Sequence, residues 1–197
     1  MNLIFFIQSS TVDISNYTIK DIPGSSGRLD VISRCILAAL TINDEFDKDI
    51  QIWVFLDKYG LFIFESNSLN PQSFPKNELK LSDYLVKLIS QEISLSTDKK
   101  IPLTTIDTSK IPIYEAIKSF SEKGYYCYIL EEKGEDFTKQ IKNLKLKENI
   151  LFILGDQSGE LLNSEELLEL NLPSLSFGSH SYLTSSIIRL IKLKLLY

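Results

Sequence analysis

Residues 149–155 read NILFILG, and no other stretch says more about the architecture. Five consecutive apolar residues run into a glycine, without the two-residue alternation that a half-solvated strand would carry. A short unbroken run of this kind belongs in a parallel sheet covered on both faces. Residues 125–130, YYCYIL, form a second such run. On either side, strand-like and helix-like segments alternate. NLIFFIQ (2–8) reads as a first strand, and DIQIWVFLD (49–57) and GLFIFES (60–66) read as a hairpin turning at Lys58-Tyr59-Gly60. LSDYLVKLISQEI (81–93) is an amphipathic helix, and IYEAIKSFSEKG (113–124) is a helix stopped by Gly124. SEELLEL (164–170) is a short helix, PSLSF (173–177) a short strand and SYLTSSIIRLIKLKLL (181–196) a last helix. Residues 66–80 and 96–110 are polar and irregular and read as loops, the second long enough to be functional. Strands alternating with helices predict an α/β fold, and 197 residues predict one domain over 1–197.

Composition narrows the class. With 44% hydrophobic and 24% charged residues the chain is ordinary for a globular protein. Its two cysteines, Cys35 and Cys127, lie in apolar segments and read as buried free thiols of a reducing compartment. MNLIFFIQ is too short for a signal peptide, and no apolar run spans a bilayer, so a cytoplasmic protein without membrane attachment is expected. A net charge of −5 argues against a broadly basic nucleic-acid surface, leaving room for a few local arginines. The last helix is apolar around most of its circumference, from Leu183 through Ile187, Ile188, Leu190, Ile191, Leu193, Leu195 and Leu196. One sheet-facing stripe does not need so many, which predicts a homodimer with this helix in or beside the contact.

Chemistry belongs beyond the carboxyl ends of parallel strands. Three such ends are suggestive: Leu130, Gly155-Asp156, and Phe177-Gly178. Glycine there lets backbone groups approach a ligand, and adenine and ribose are commonly held by such contacts inside an apolar pocket. There is no GxGxxG after the first strand, no GxxxxGK[ST] and no GxSxG. The single histidine, His180, does not make a triad, and no metal-ligand spacing occurs. One more segment stands out, DIPGSSGRLDVISRC (21–35). Ser25 or Ser26 can cap a helix starting near Gly27, whose buried stripe is Leu29, Ile32, Ile36, Ala39 and Leu40. Asp30 and Arg34 are spaced for a simple surface ion pair. That leaves Arg28 and the Pro-Gly-Ser-Ser-Gly turn unexplained. A phosphate-contacting turn with Asp30 as base or orienter uses all of them.

DIPGSSGRLDVISRC resembles the N-terminal signature of the archaeal tRNA pseudouridine-54 N1-methyltransferases, of the SPOUT class. LFILGDQSG (151–159) is similar to that family's strand-loop segment, and LSFGSHSYLTSSI (175–187) to its final loop and the start of its last helix. Residues 66–112 match poorly. The chain also departs from the family at Ser179, where a proline is usual, and at Ser186-Ile187, where many members carry His-Cys. The pseudouridine methyltransferases of small-subunit ribosomal RNA share the Arg-x-Asp and are the alternative. The resemblance implies a SPOUT-type parallel sheet flanked by helices with a C-terminal trefoil knot. It further implies an obligate homodimer that methylates pseudouridine 54 in the T-loop of tRNA. S-adenosyl-L-methionine would be held at Leu130, Gly155, Asp156, Ser176, Phe177, Gly178, Leu183 and Ile187, without a metal. Arg28 and Asp30 would be catalytic, reaching the target base from the neighbouring subunit, with Asp30 accepting or directing the N1 proton. Arg28 and Arg34 would contact RNA. A different class of reading, a dimeric RNA- or nucleotide-binding module of the same fold without catalysis, rests on Ser186-Ile187.

Overall fold

The structure is a computed structural model that describes residues 1–43, 45–94, 106–155 and 161–197. In chain order the elements are β1 (Asn2–Ser9), α1 (Ile22–Ser25), α2 (Leu29–Leu40), β2 (Thr41–Ile42), β3 (Glu45–Phe46), β4 (Ile50–Leu56), β5 (Gly60–Glu65), α3 (Glu78–Ser94), β6 (Ile106–Ser109), α4 (Ile113–Glu122), β7 (Tyr126–Asp136), α5 (Phe137–Lys145), β8 (Asn149–Leu154), α6 (Glu165–Glu169), β9 (Ser174–Ser176) and α7 (Thr184–Leu195), with a short 3₁₀ turn at Leu161–Asn163 before α6. Seven strands form one sheet in the order β6-β5-β4-β1-β8-β7-β9. β1 pairs in parallel with β4 and β8, and β7 in parallel with β8 and β9. β5 alone runs against its neighbours. The carboxyl ends of β6, β4, β1, β8, β7 and β9 therefore share one edge, where an open α/β sheet binds its ligands.

NILFILG behaves as its composition demands: Ile150 through Leu154 are all buried, with β1 on one side and β7 on the other. Alternate residues of β1 feed two separate cores. Leu3, Phe5 and Ile7 pack under α2, α3, α5 and α7, whereas Ile4 and Phe6 pack under α4 and α6. Each fully buried Phe, Ile or Leu contributes about 1.5–3 kcal/mol of transfer free energy.

Several expectations change. The Pro-Gly-Ser-Ser-Gly turn contains its own helical turn, α1, capped by the Asp21 carboxylate accepting from Gly24 N. α2 starts two residues after Gly27, with Arg28 at the cap position in a left-handed conformation; Ser26 Oγ still accepts from Leu29 N. α3 begins at Glu78, inside the stretch read as loop. β6 lies in the segment read as irregular: an edge strand needs only backbone pairing, which its polar residues did not advertise. β7 continues six residues past Leu130 and leads directly into α5, which the sequence reading missed. α7 begins at Thr184, three residues later than expected. Its apolar surplus is also smaller than it looks. Ile188, Ile191 and Leu195 face the core, while Leu183 and Leu193 are each 54% exposed.

Lys192 of α7 is itself buried. Its Nζ lies 2.6 Å from Asp47 Oδ2 and donates to Ala38 O and Thr41 O at the carboxyl end of α2, at 2.8 and 3.0 Å. Desolvation lowers the pKa of this ammonium, against the pull of Asp47. Unpaired helix carbonyls favour a cation, so the lysine ties α7 to α2 away from the cavity edge.

Candidate active site

A cavity of about 510 Å³ opens at the carboxyl ends of β8, β7 and β9. Its apolar wall comes from Leu130, Leu154, Leu175, Phe177 and Ile187, its polar rim from Glu131, Glu132, Lys133, His180 and Thr184. The volume lies in the ordinary range of about 300–1,000 Å³ for small-molecule and cofactor sites. Local structure explains the shape. Ile129 and Leu130 pair with β9, and so do Glu135 and Asp136, with Leu175 in register with both Leu130 and Glu135. Residues 131–134 therefore bow out of the ladder and carry Glu131, Glu132 and Lys133 to the rim. Gly134 is required for this, because a Cβ would lie 2.6 Å from the Leu175 backbone. Ser176 Oγ donates to Glu132 O at 2.9 Å and accepts from Gly178 N at 3.0 Å, stitching the bowed segment to the loop after β9. The Phe177 ring stacks on Phe137 of α5, with centroids 4.4 Å apart.

Of the residues expected to hold a cofactor, Leu130, Gly155, Phe177, Gly178 and Ile187 line this cavity. Ser176 supports it from behind. Leu183 is exposed and outside its lining, because α7 starts at the next residue and turns Thr184 inward instead. Asp156 lies outside the described residues. The sequence reading missed Thr184, whose Oγ1 donates weakly to Gly155 O at 3.4 Å.

A narrow recess of about 30 Å³ adjoins the cavity and shares Gly155 and Thr184 with it; Gln8, Ser9, Arg28 and Cys35 lie on its other sides. Arg28 has φ +71° and ψ 36° and follows Gly27 at φ +59°, so two successive residues are left-handed. Such a backbone costs a non-glycine residue of order 1 kcal/mol. Gly27 has no alternative: a Cβ would sit 1.7 Å from Thr11 O. Thr11 Oγ1 donates to Gly27 O and Asp13 N to Ser26 O, so the turn docks on the segment after β1. Gly24 N and Leu29 N are given to Asp21 and Ser26, so any phosphate contact by this turn falls to the Arg28 side chain and the remaining amides.

Arg28 and Asp30 are a close pair. Arg28 Nε and Nη2 donate to Asp30 Oδ1 and Oδ2 at 3.0 and 3.1 Å, and Arg34 Nη2 adds a third bond to Oδ2 at 2.9 Å. The Asp30 side chain is only 5% exposed, whereas those of Arg28 and Arg34 are 44% and 32% exposed. Asp30 raises the pKa of Arg28 further through these bonds, fixing its charge. Arg34 also meets Glu78 of α3 at 3.3 Å. Burial pushes Cys35 up to about 12, so this thiol is no nucleophile near neutrality. No group of three or more metal-ligating side chains occurs among the described residues, and no described helix is long and apolar enough to cross a membrane.

The sequence model of the family described as "Putative SAM-dependent RNA methyltransferase" matches residues 1–196. The chain belongs to this family. A tRNA (pseudouridine(54)-N(1))-methyltransferase of Pyrococcus abyssi is 32% identical, covering 98% of this chain and 96% of that protein. One from Methanococcus aeolicus is 31% identical over 85% of this chain and 84% of the other. Among solved structures, Archaeoglobus fulgidus Nep1 bound to S-adenosylhomocysteine aligns over 98% of this chain and 97% of its own with a TM-score of 0.64. At 14% identity that likeness speaks for the fold alone. The family's cofactor suits the cavity in kind: an apolar wall for adenine, glycine-bearing strand ends for backbone contacts, and carboxylates at the rim for its positive charges.

Proposed function

We propose that the chain is an S-adenosylmethionine-dependent methyltransferase acting on N1 of pseudouridine 54 in the T-loop of tRNA. One observation carries the reading: a cofactor-sized cavity at the carboxyl edge joins, through Gly155 and Thr184, a recess walled by Arg28. The tRNA substrate is favoured over ribosomal RNA because the two relatives named above, which cover 98% and 85% of this chain, carry the tRNA name. When bound, S-adenosylmethionine supplies an electrophilic methyl group. Leu130, Phe177 and Ile187 exclude water around it, and Gly155 and Gly178 offer backbone contacts; Asp156, the next residue in the sequence after Gly155, is proposed as a further contact. The substrate N1–H gives up its proton to solvent water as the nitrogen takes the methyl group, and no covalent nucleophile is needed. Arg28 holds a uracil carbonyl or flanking phosphate, and Arg34 a neighbouring phosphate. Both Asp30 oxygens already accept guanidinium bonds, which favours Asp30 as the group that aims Arg28 over one that takes the proton. The shared recess also favours Arg28 serving its own subunit's cavity, where the family resemblance had pointed to the neighbour's. Holding the reactants in line supplies most of the rate.

A homodimer and a C-terminal trefoil knot belong to the same proposal. The exposed Tyr182, Leu183 and Leu193 near α7 support the first, and the family resemblance of residues 151–159 and 175–187 the second. The test is incubation with labelled cofactor and tRNA transcripts, with and without prior pseudouridylation, followed by nucleoside mass spectrometry. N1-methylpseudouridine formed only in the pseudouridylated transcript is the expected product. Cofactor uptake without transfer to either transcript overturns the enzyme in favour of a binding module. Asp30→Asn should lower methyl transfer about 100-fold with cofactor affinity in calorimetry unchanged; full activity removes Asp30 from the mechanism.

A further inference from the structure

A third and larger basin lies on the same sheet edge. It measures about 760 Å³ and is built where β1 and β4 end and α4 begins. Gln8 belongs both to this basin and to the recess that holds Arg28, so basin, recess and cofactor cavity form one row. The basin's walls carry Lys58 and Lys110 with Tyr59 and Tyr114, cations and rings that suit a nucleotide better than an apolar ligand. Lys58 is already paired with Asp13 at 2.6 Å, which leaves Lys110 as the more available charge.

Gln8 is the informative residue. Its Nε2 donates to Asp57 Oδ1 at 2.7 Å. An ionised carboxylate only accepts, so the amide cannot be the other way round. Asp57 is held in turn, its N–H donating to Ser9 O at 3.1 Å. The amide oxygen, Gln8 Oε1, is thereby fixed, buried and without a hydrogen-bond partner among the described residues. Gln8 lines both cavities, and an acceptor left unpaired there calls for a donor, which a ligand can supply by a small shift of the side chain into the opening.

We infer that Gln8 reads the target base, its Oε1 accepting the imide N3–H of the pseudouridine. This rests on the function proposed above. In that reaction N1 has to face the cofactor cavity, across Gly155 and Thr184. N3–H, one carbonyl carbon away from N1 and pointing along a different edge of the ring between two carbonyls, then needs an acceptor of its own. Gln8 supplies one on the side away from the cofactor cavity, and the second N–H of its Nε2 can meet an adjacent carbonyl. Nucleotides flanking the target occupy the basin beside Tyr59 and Tyr114.

The test is a two-by-two cycle in T-arm hairpin RNA: pseudouridine or N3-methylpseudouridine at the target, against wild type or Gln8→Ala. Binding is read by fluorescence anisotropy, methyl transfer by single turnover and cofactor affinity by calorimetry. Wild type should bind and methylate the unmodified-N3 RNA about tenfold better than the N3-methyl RNA. In Gln8→Ala, which lacks the acceptor and leaves room for the methyl, the two RNAs should differ by no more than about twofold with cofactor affinity unchanged. A wild-type enzyme that methylates both RNAs equally overturns the inference and leaves the proposed function standing; that arm can be read even if Gln8→Ala does not fold. A Gln8→Ala enzyme that keeps the tenfold preference overturns it too. Absence of methylation on any RNA overturns the proposed function, and the inference with it.

Discussion

At Gly27 and Arg28 the backbone bends left-handed twice in succession, for different reasons. Gly27 lies against the carbonyl of Thr11, where any Cβ overlaps backbone. Gly27→Ala therefore combines a positive φ with a clash that no rotamer relieves. It should cost about 3 kcal/mol or more in urea denaturation, beyond an ordinary glycine substitution. At Arg28 the side chain is tolerated despite the strain, which makes sense only if the guanidinium is wanted there. Arg28→Gly relieves about 1 kcal/mol of strain and removes a half-exposed ion pair of similar magnitude. Its stability should stay within about 1 kcal/mol of wild type while methyl transfer falls about 100-fold or more. Loss of both in proportion would mean that Arg28 is merely structural.

Two helices have to keep a fixed relation for the recess to exist, since α2 brings Arg28 and the start of α7 brings Thr184. Away from that edge, buried Lys192 bridges Asp47 and the last carbonyls of α2, and Tyr197 hydrogen-bonds Asp47. Lys192→Met leaves the Asp47 carboxylate buried without its cation, which should cost about 3–5 kcal/mol in denaturant midpoint experiments. Adding Asp47→Asn should restore much of that loss, because the uncompensated charge is gone. This joint was hidden in the sequence, where Lys192 sits in SIIRLIKLKLL and reads as one of several solvent-facing cations. The buried strands were open to reading because an unbroken apolar run has few other places to go. α5 was not, since FTKQIKNLK offers only Phe137, Leu144 and the partly buried Ile141 to the core. Of the site, the strand-end residues were legible from glycine after an apolar run, and Arg28-Asp30 from the family signature. Gln8 and Thr184 were not, because their roles depend on which cavity they join, and no local pattern encodes that.

Over the whole molecule, buried or hydrogen-bonded thiols and phenols set the alkaline limit of stability. Burial pushes the Cys35 thiol up to about 12 and that of Cys127 to about 11, from an ordinary value of 9.0. Tyr84 rises to about 12 through burial, and Tyr197 to about 12 chiefly through its bond to Asp47, from 10.0. Each of these groups keeps its proton more tightly in the folded chain than in the unfolded one. Their stabilising contribution is therefore complete below the unfolded values and lost as pH climbs through the folded ones. Lys192 works the other way: its lowered value makes its burial less costly once the ammonium loses its proton, but it stands against these four and against Tyr17 and Tyr128, which burial also raises. At the acid end, hydrogen bonds from Lys58 and Thr138 hold Asp13 and Asp136 below the usual 3.8, so stability falls only as pH drops past about that value. The urea midpoint should thus be level from about pH 6 to 8 and decline from about pH 9. In a Cys35→Ala, Cys127→Ala double variant the onset should move to about pH 10, where the tyrosines take over. An onset that stays at 9 in the double variant would show that neither thiol is shielded as the fold requires.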